Sequence, residues 1–481
     1  MPSNVVVRVS TTSPEVQEGL AAIAAELELP GEFPPEVVAA AEQAARAVVL
    51  PELDRTDIAL LTIDPEGSMD LDQALHIERA PGDAGGFVVH YAIADVAAFV
   101  KPGDPVDLEA HRRGETLYGA GTRIPLHPPA LSEGAASLLP DQVRPALLWT
   151  LDVDAAGACT GVRVERAQVR SRERWSYVGA QEALDNGSAG EVLQLLREVG
   201  QLRVQQEQER GGISLPLPEQ EIEETDGGLR LVFREQLPVE LWNAQVSLMT
   251  GMAGASLMVE HEVGLLRTLP PPDPRDVARL RRVARGLGIA WPDAMEYDDF
   301  IRSLDPAKPA HQAMTVACTR LLRGSGYAAF DGSLPEQTRH SAIAAEYAHV
   351  TAPLRRLCDR YAGEVCIALC AGEPVPGWAL RALPELPKEM QESGRRAGSY
   401  ERAVLDLVEA AVLADRVGEE FDAVVTSVQE GHEDQGVVLI ADVGVEAPVS
   451  SSSKQPLPLG QDVRARLVTA DIAARKVAFE V

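Results

Sequence analysis

The chain has 481 residues, is 45% hydrophobic and carries a formal net charge of −29, values of an ordered protein with room for two or more domains and not of a disordered one. It contains no run near the ~20 consecutive apolar residues that a membrane helix needs. Its first residues, MPSNVVVRVSTTSPE, lack the basic and then apolar segments of a secretory leader. Five cysteines without a CxxC pair argue against disulfides and structural zinc and for a reducing, cytoplasmic setting.

Residues 1–57 read as a small helical region, with helical spacing over 14–27, a PGEFPP breaker and a second helical stretch over 36–49. From 58 to about 169 the pattern becomes strand-rich, and HIERAPGDAGGFVVHYAIADV predicts two strands joined by a Pro/Gly turn. Residues 173–210 are predicted helical and 229–233 a short strand. Helices dominate from 238 to about 416, broken near position 375 by AGEPVPGW. The chain then ends in FDAVVTSVQ, GVVLIADV, VEAPVS, VRARLVTADI and KVAFEV, whose number and spacing predict a five-stranded OB-fold β-barrel. The expected class is α+β: a helical region at 1–57, a central domain of mixed β-sheet with surrounding helices at 58–416, and the barrel at 417–481.

The acid is unevenly spread. Residues 1–60 hold ten acidic against three basic residues, and residues 401–481 hold fifteen against seven. A nucleic-acid ligand normally needs a basic footprint, so any anion must be held in a local groove. Arginines cluster at 163–174, at 279–285 and at Arg355, Arg356 and Arg360; the second group sits on a predicted helix and reads as a solvated face. The densest chemistry lies in TIDPEGSMDLDQA, where Asp64, Asp70, Asp72 and the amide Gln73 fall within ten residues. Carboxylates so close repel one another and lose hydration unless a cation sits among them. An oxygen-only donor set suits Mg²⁺.

Several segments now stand in a fixed order. They are Thr62-Ile63-Asp64-Pro65 with Asp70-Leu71-Asp72-Gln73, then Ile93-Ala94-Asp95-Val96, then RRGETLYGAGTRIPLHP around Tyr118. Trp175-Ser176-Tyr177, YAHVTAPLRRLCD at 347–359, and Tyr400-Glu401-Arg402 follow, ahead of the barrel. Together they resemble the RNase II-like (RNB) family of hydrolytic 3′→5′ exoribonucleases. The resemblance implies an enzyme that uses one or two Mg²⁺ ions, with Mn²⁺ as a substitute, to release 5′-mononucleotides from single-stranded RNA 3′ ends. It implies Asp64, Asp70 and Asp72 as metal ligands, with Asp72 the most critical acid and Asp70 either a ligand or an orienting neighbour. Gln73 stands where the family has a fourth acid and would offer only a neutral carbonyl. Arg355 matches the arginine that grips the scissile phosphate, and Arg356 would bind backbone phosphate beside it. Glu401 matches a catalytic glutamate near the terminal nucleotide, Tyr118 the aromatic that stacks on the last base, and Tyr177 part of the sugar-recognition wall.

Typical members carry two cold-shock barrels, and a helical stretch of 57 residues has no space for them. An open entrance that accepts duplex RNA with a 3′ overhang is therefore expected, in a monomer without membrane attachment. Two other readings compete. An RNA-binding scaffold on a decayed nuclease fold would explain Gln73, whereas a Mg²⁺ phosphoesterase acting on small molecules would leave the barrel unexplained.

Overall fold

Period-two alternation divides the central strands between two apolar cores. The strands are β1 (Leu60–Asp64), β2 (Gln73–Arg79), β3 (Gly86–Ala94), the short hairpin β4 (Leu117–Gly119) and β5 (Thr122–Ile124), β6 (Val143–Asp154) and β7 (Cys159–Ser176). Leu61, Ile63, Leu75, Ile77, Val89, Tyr91, Leu147, Trp149 and Leu151 face one core. The alternate residues Leu60, Ala74, Ala92, Ala94, Ala146 and Leu148 face the other. With both faces buried, the strands read as near-continuous apolar runs. They close into a barrel in the order β1-β2-β3-β6-β7, so the predicted mixed sheet is a closed one. Closure comes from the parallel pairing of β1 with β7, which sets Asp64 beside Ser176. In this computed structural model the described residues are 14–82, 85–119, 122–215, 219–225, 228–234, 236–305 and 308–481. The tip of the β2–β3 turn, Asp83 and Ala84, and the Ala120-Gly121 pair after Tyr118 lie outside them.

Helices cover both faces. Before the barrel come α1 (Pro14–Glu26) and α2 (Pro35–Ala47), and within it α3 (Pro105–Arg113). Asp104 caps α3 by accepting from the Asp107 amide. After β7 follow α4 (Tyr177–Asp185), α5 (Glu191–Glu209), the hairpin β8 (Glu219–Thr225) and β9 (Gly228–Arg234), and the long α6 (Pro238–Glu260). Strands β10 (Val263–Thr268) and β11 (Gly326–Asp331) pair across a helical excursion of α7 (Pro274–Gly286), α8 (Tyr297–Arg302) and α9 (Pro309–Cys318). The two-residue strands β12 (Arg339–His340) and β13 (Ala345–Glu346) precede α10 (Leu357–Ala371), α11 (Gly377–Ala382) and α12 (Leu386–Leu413).

Strands β14 (Glu420–Gln429), β15 (His432–Ile440), β16 (Val445–Ser450), β17 (Asp462–Asp471) and β18 (Lys476–Glu480) form a second closed barrel, the five strands expected from the sequence. Its core is continuous with α12 and with Val16 and Ile23 of α1. No helix among the described residues is long and apolar enough to cross a membrane.

One expectation is corrected. Residues 173–176, predicted as the start of a helix, are the end of β7 and pair with β1. The helix begins only at Tyr177, where the Ser176 hydroxyl accepts from the Gly179 amide at 3.0 Å. Partnership with a strand more than a hundred residues away overrides local propensity here.

Candidate active site

The acids lie where β1 ends and β2 begins. Asp64 is the last residue of β1 and Gln73 the first of β2, so Asp70 and Asp72 stand on the loop that returns between two barrel strands. That loop is pinned from outside. Leu71 is fully buried, its amide donates to Ser137 Oγ at 2.9 Å, and the Ser137 hydroxyl donates to the Met69 carbonyl at 2.6 Å. The Asp72 carbonyl accepts from the Ala94 amide.

The three carboxylates have different surroundings. Asp70 pairs with Arg123 (Nη1–Oδ1 2.5 Å), a guanidinium that also binds Glu133. Buried Asp72 accepts the Leu354 amide on Oδ1 at 2.7 Å and turns Oδ2 toward Arg355, 3.8 Å from its Nε. Burial drives its pKa well above the usual carboxylate range, against the pull of Arg355 and the Leu354 amide. The Asp64 carboxyl is raised to about 7, first by burial and then by Asp70, with Arg174 and Arg355 pulling it down. Its Oδ2 is buried and has no hydrogen-bond partner among the described residues, as does Thr62 Oγ1 two positions earlier. Buried carboxylate oxygens held together without enough positive charge are a donor set that fits a hard divalent cation. Asp64, Asp70 and Asp72 would hold it.

Gln73 is spoken for. Its Nε2 donates to the Thr351 carbonyl at 2.7 Å and its Oε1 accepts from Tyr91 Oη at 2.8 Å.

The arginines predicted as a pair part company. Arg355 has a 47% exposed side chain and, among the described residues, its guanidinium donates no hydrogen bond. It faces Asp64 and Asp72 as an available fork. Arg356 is turned inward, gripping Asp359 with both arms at 2.6 and 2.9 Å. The backbone of Arg356 is extended and bridges Glu115, which reverses the side chain relative to its neighbour. The Arg356 guanidinium is thus engaged within the fold, whereas that of Arg355 is not. The adjacent His349, Cys358 and Asp359 lie close enough to suggest metal ligation, but both Asp359 oxygens are already occupied by Arg356, and Oδ1 also accepts the Ala352 amide.

Tyr118 is half exposed and shares a recess of about 240 Å³ with Glu401, Gln220 and Val404. Glu401 therefore stands with Tyr118, and no described hydrogen bond or ion pair joins it to the three acids. The Tyr177 hydroxyl lies 3.5 Å from Asn243 Nδ2, and burial first, then the nearby Asp64, raises its pKa. Sequence reasoning passed over Arg123, Tyr91 and Ser247 and gave Arg174 only as a member of an arginine cluster. Arg123 and Arg174 lay in segments already singled out, but nothing local shows that they turn toward the acids.

The chain matches the RNB domain family over residues 53–367 and the RNase II-type exonuclease C-terminal S1 domain over residues 419–481. It is similar to Ribonuclease R of Escherichia coli (strain K12), 27% identical over 403 residues that cover 78% of this chain and 48% of that protein. The chain spans about half the length of the curated relatives it matches. Among solved structures it is similar to Mycoplasma genitalium RNase R in complex with ribose methylated single-stranded RNA. The TM-score is 0.86 at 19% identity, covering 97% of this chain and 78% of that one. It is also similar to yeast Ssd1, a pseudonuclease, with a TM-score of 0.71 at 15% identity over 91% and 56% of the two chains. At these identities both structures speak to the fold alone.

Proposed function

The chain belongs to the RNB family, and on that premise we propose that it hydrolyses RNA from the 3′ end and releases nucleoside 5′-monophosphates. The observation that carries the reading is the pairing of an under-compensated acid cluster with an uncommitted arginine. Asp64 has a partnerless buried oxygen, and Arg355 stands over Asp72 with its fork exposed. Asp64, Asp70 and Asp72 would hold Mg²⁺, or Mn²⁺ in its place, and such an ion supplies an activated water and neutralises phosphoryl oxygens. Arg355 grips two non-bridging oxygens of the scissile phosphate, a task suited to a planar fork. Tyr118 stacks on the 3′-terminal base and fixes which bond reaches the acids, while Glu401 lies beside that base and Tyr177 beside its sugar.

The test uses a 5′-labelled single-stranded RNA with Mg²⁺, with EDTA, and with the Asp72→Asn protein. A Mg²⁺-dependent ladder that collapses to a short end product is expected, and the variant should be slower by at least about a hundredfold. A variant within about tenfold of wild type removes Asp72 from the mechanism. Tight RNA binding without cleavage in every lane supports the second reading, an RNA-binding scaffold, which the neutral Gln73 favours. We extend the substrate to duplexes with a 3′ overhang, a reading supported by the likeness of this chain to a Mycoplasma genitalium RNase R structure in complex with double-stranded RNA. Stalling many nucleotides before the duplex would refute that extension.

A further inference from the structure

Gln73 joins a phenol on β3 to the backbone of the 351–355 turn. Tyr91 gives its proton to Gln73 Oε1 at 2.8 Å, and Gln73 Nε2 donates to the Thr351 carbonyl at 2.7 Å. A hydrogen bond of 2.9 Å between the hydroxyls of Ser247 and Thr351 fastens the same turn to α6. Together these contacts tie β2, β3 and α6 to residues 351–355.

Such a link needs, at position 73, a group that accepts from a phenol and donates to a carbonyl. An amide does both, whereas a carboxylate accepts only and would set lone pairs against the lone pairs of the Thr351 oxygen. The neighbouring residue makes the complementary grip: Asp72 Oδ1 accepts the Leu354 amide at 2.7 Å. Two consecutive side chains thus clasp opposite polar groups of one turn, and that turn carries Arg355. From the other side the Arg355 carbonyl accepts the Thr116 amide at 2.9 Å.

We propose that Gln73 is a positioning residue that holds the 351–355 turn, and with it Arg355, over the acid cluster, in the place where the sequence pattern leads one to expect a fourth acid. The role given to Arg355 rests on the ribonuclease reading above. Cation binding then falls to Asp64, Asp70 and Asp72, and an acid restored at position 73 loosens the turn.

The test compares the full chain with Gln73→Glu, which keeps the reach and loses the donor, and with Tyr91→Phe, which removes the donor to Gln73 Oε1 without adding charge. In EDTA, amide hydrogen exchange across 352–357 should quicken in both, by about tenfold for Gln73→Glu. Affinity for a short single-stranded RNA in EDTA should fall about fivefold to tenfold in Gln73→Glu and less in Tyr91→Phe. Added to Arg355→Ala, neither substitution should weaken binding further, because both act through the same side chain. Unchanged exchange in both variants, or losses that add to Arg355→Ala, would overturn the proposal. So would a tighter Mg²⁺ affinity of Gln73→Glu by calorimetry with the turn unmoved, since position 73 would then be a ligand. Failure of the ribonuclease reading shows separately, as a wild-type protein that cleaves no RNA in Mg²⁺, while the exchange measurement still decides the role of Gln73.

Discussion

Asp64→Asn should make the cation-free protein more stable above neutral pH while removing a metal ligand. The folded chain holds the Asp64 carboxyl at about 7, against an ordinary 3.8. Between those values the folded state keeps a proton that the unfolded state has lost, so stability falls as pH rises from about 4 to about 7 and stays low above it. At roughly 1.4 kcal/mol per tenfold change in proton affinity, ionising this group costs the fold at most about 4 kcal/mol. That is a ceiling, because burial is the main cause and the surroundings of a buried charge relax and admit water when it ionises. An asparagine never ionises. Melting in EDTA should therefore show the two proteins alike near pH 4 and the variant higher by several degrees at pH 8. Mg²⁺ should then raise the wild-type midpoint more than that of the variant, since binding to the folded state alone stabilises it. A variant that melts at or below wild type at pH 8 in EDTA, or an equal response of both proteins to Mg²⁺, would refute the argument that Asp64 is an uncompensated buried charge.

The two neighbouring arginines should separate cleanly. Arg355→Ala is expected to cut kcat/KM by about a hundredfold with stability within about 0.5 kcal/mol of wild type, whereas Arg356→Ala leaves Asp359 buried and unpaired and should cost about 3–5 kcal/mol in denaturant unfolding. Equal stabilities would contradict the burial of the Arg356–Asp359 pair. Tyr118→Ala removes a stacking surface worth about 1–3 kcal/mol per base, and a higher KM with a longer end product should follow; an unchanged product ladder would remove Tyr118 from the last base. Glu409 of α12 is buried where that helix meets the second barrel, accepting from Gln220 Nε2 at 2.7 Å and the Glu446 amide at 3.3 Å, and burial raises its pKa to about 7. Ionisation above that value weakens the junction, so proteolysis around residues 417–419 should accelerate from pH 6 to pH 8 and Glu409→Gln should flatten the profile; equal pH dependence in both proteins would count against this.

What could be read from the sequence depended on how far apart the cooperating residues lie. The acid loop was legible because its chemistry fits within ten residues and needs no partner to be recognised. The second barrel was legible because its five strands follow one another and most pair with near neighbours. The first barrel was not, since its closure depends on β1 meeting β7 in parallel, a long-range pairing that leaves no local trace and that also turned residues 173–176 from helix into strand. Arg355 and Arg356 are identical in type and adjacent in sequence. Only the bridge of Arg356 to Glu115 and the position of Asp359 decide which faces the acids. Gln73 was the subtlest case. By residue type it is a weakened ligand, and only the directions of two hydrogen bonds show that both ends of its amide are already engaged.

Those same contacts explain how so acidic a chain can present a site for a polyanion. Three guanidiniums approach the acid loop, yet each is partly diverted. Arg123 divides itself between Asp70 and Glu133, and Arg174 donates to the Ser68 carbonyl. Arg355 stays 3.8 Å from Asp72 and half in solvent. Their combined field leaves the Asp64 and Asp72 carboxyls above their ordinary range. Full neutralisation by arginine would leave neither a cavity of negative potential for a cation nor an arginine to spare for a phosphate. Partial neutralisation leaves both within one loop and one turn. The requirement for positive charge is met at a few atoms, and the net charge of −29 elsewhere on the chain does not have to change for the site to work.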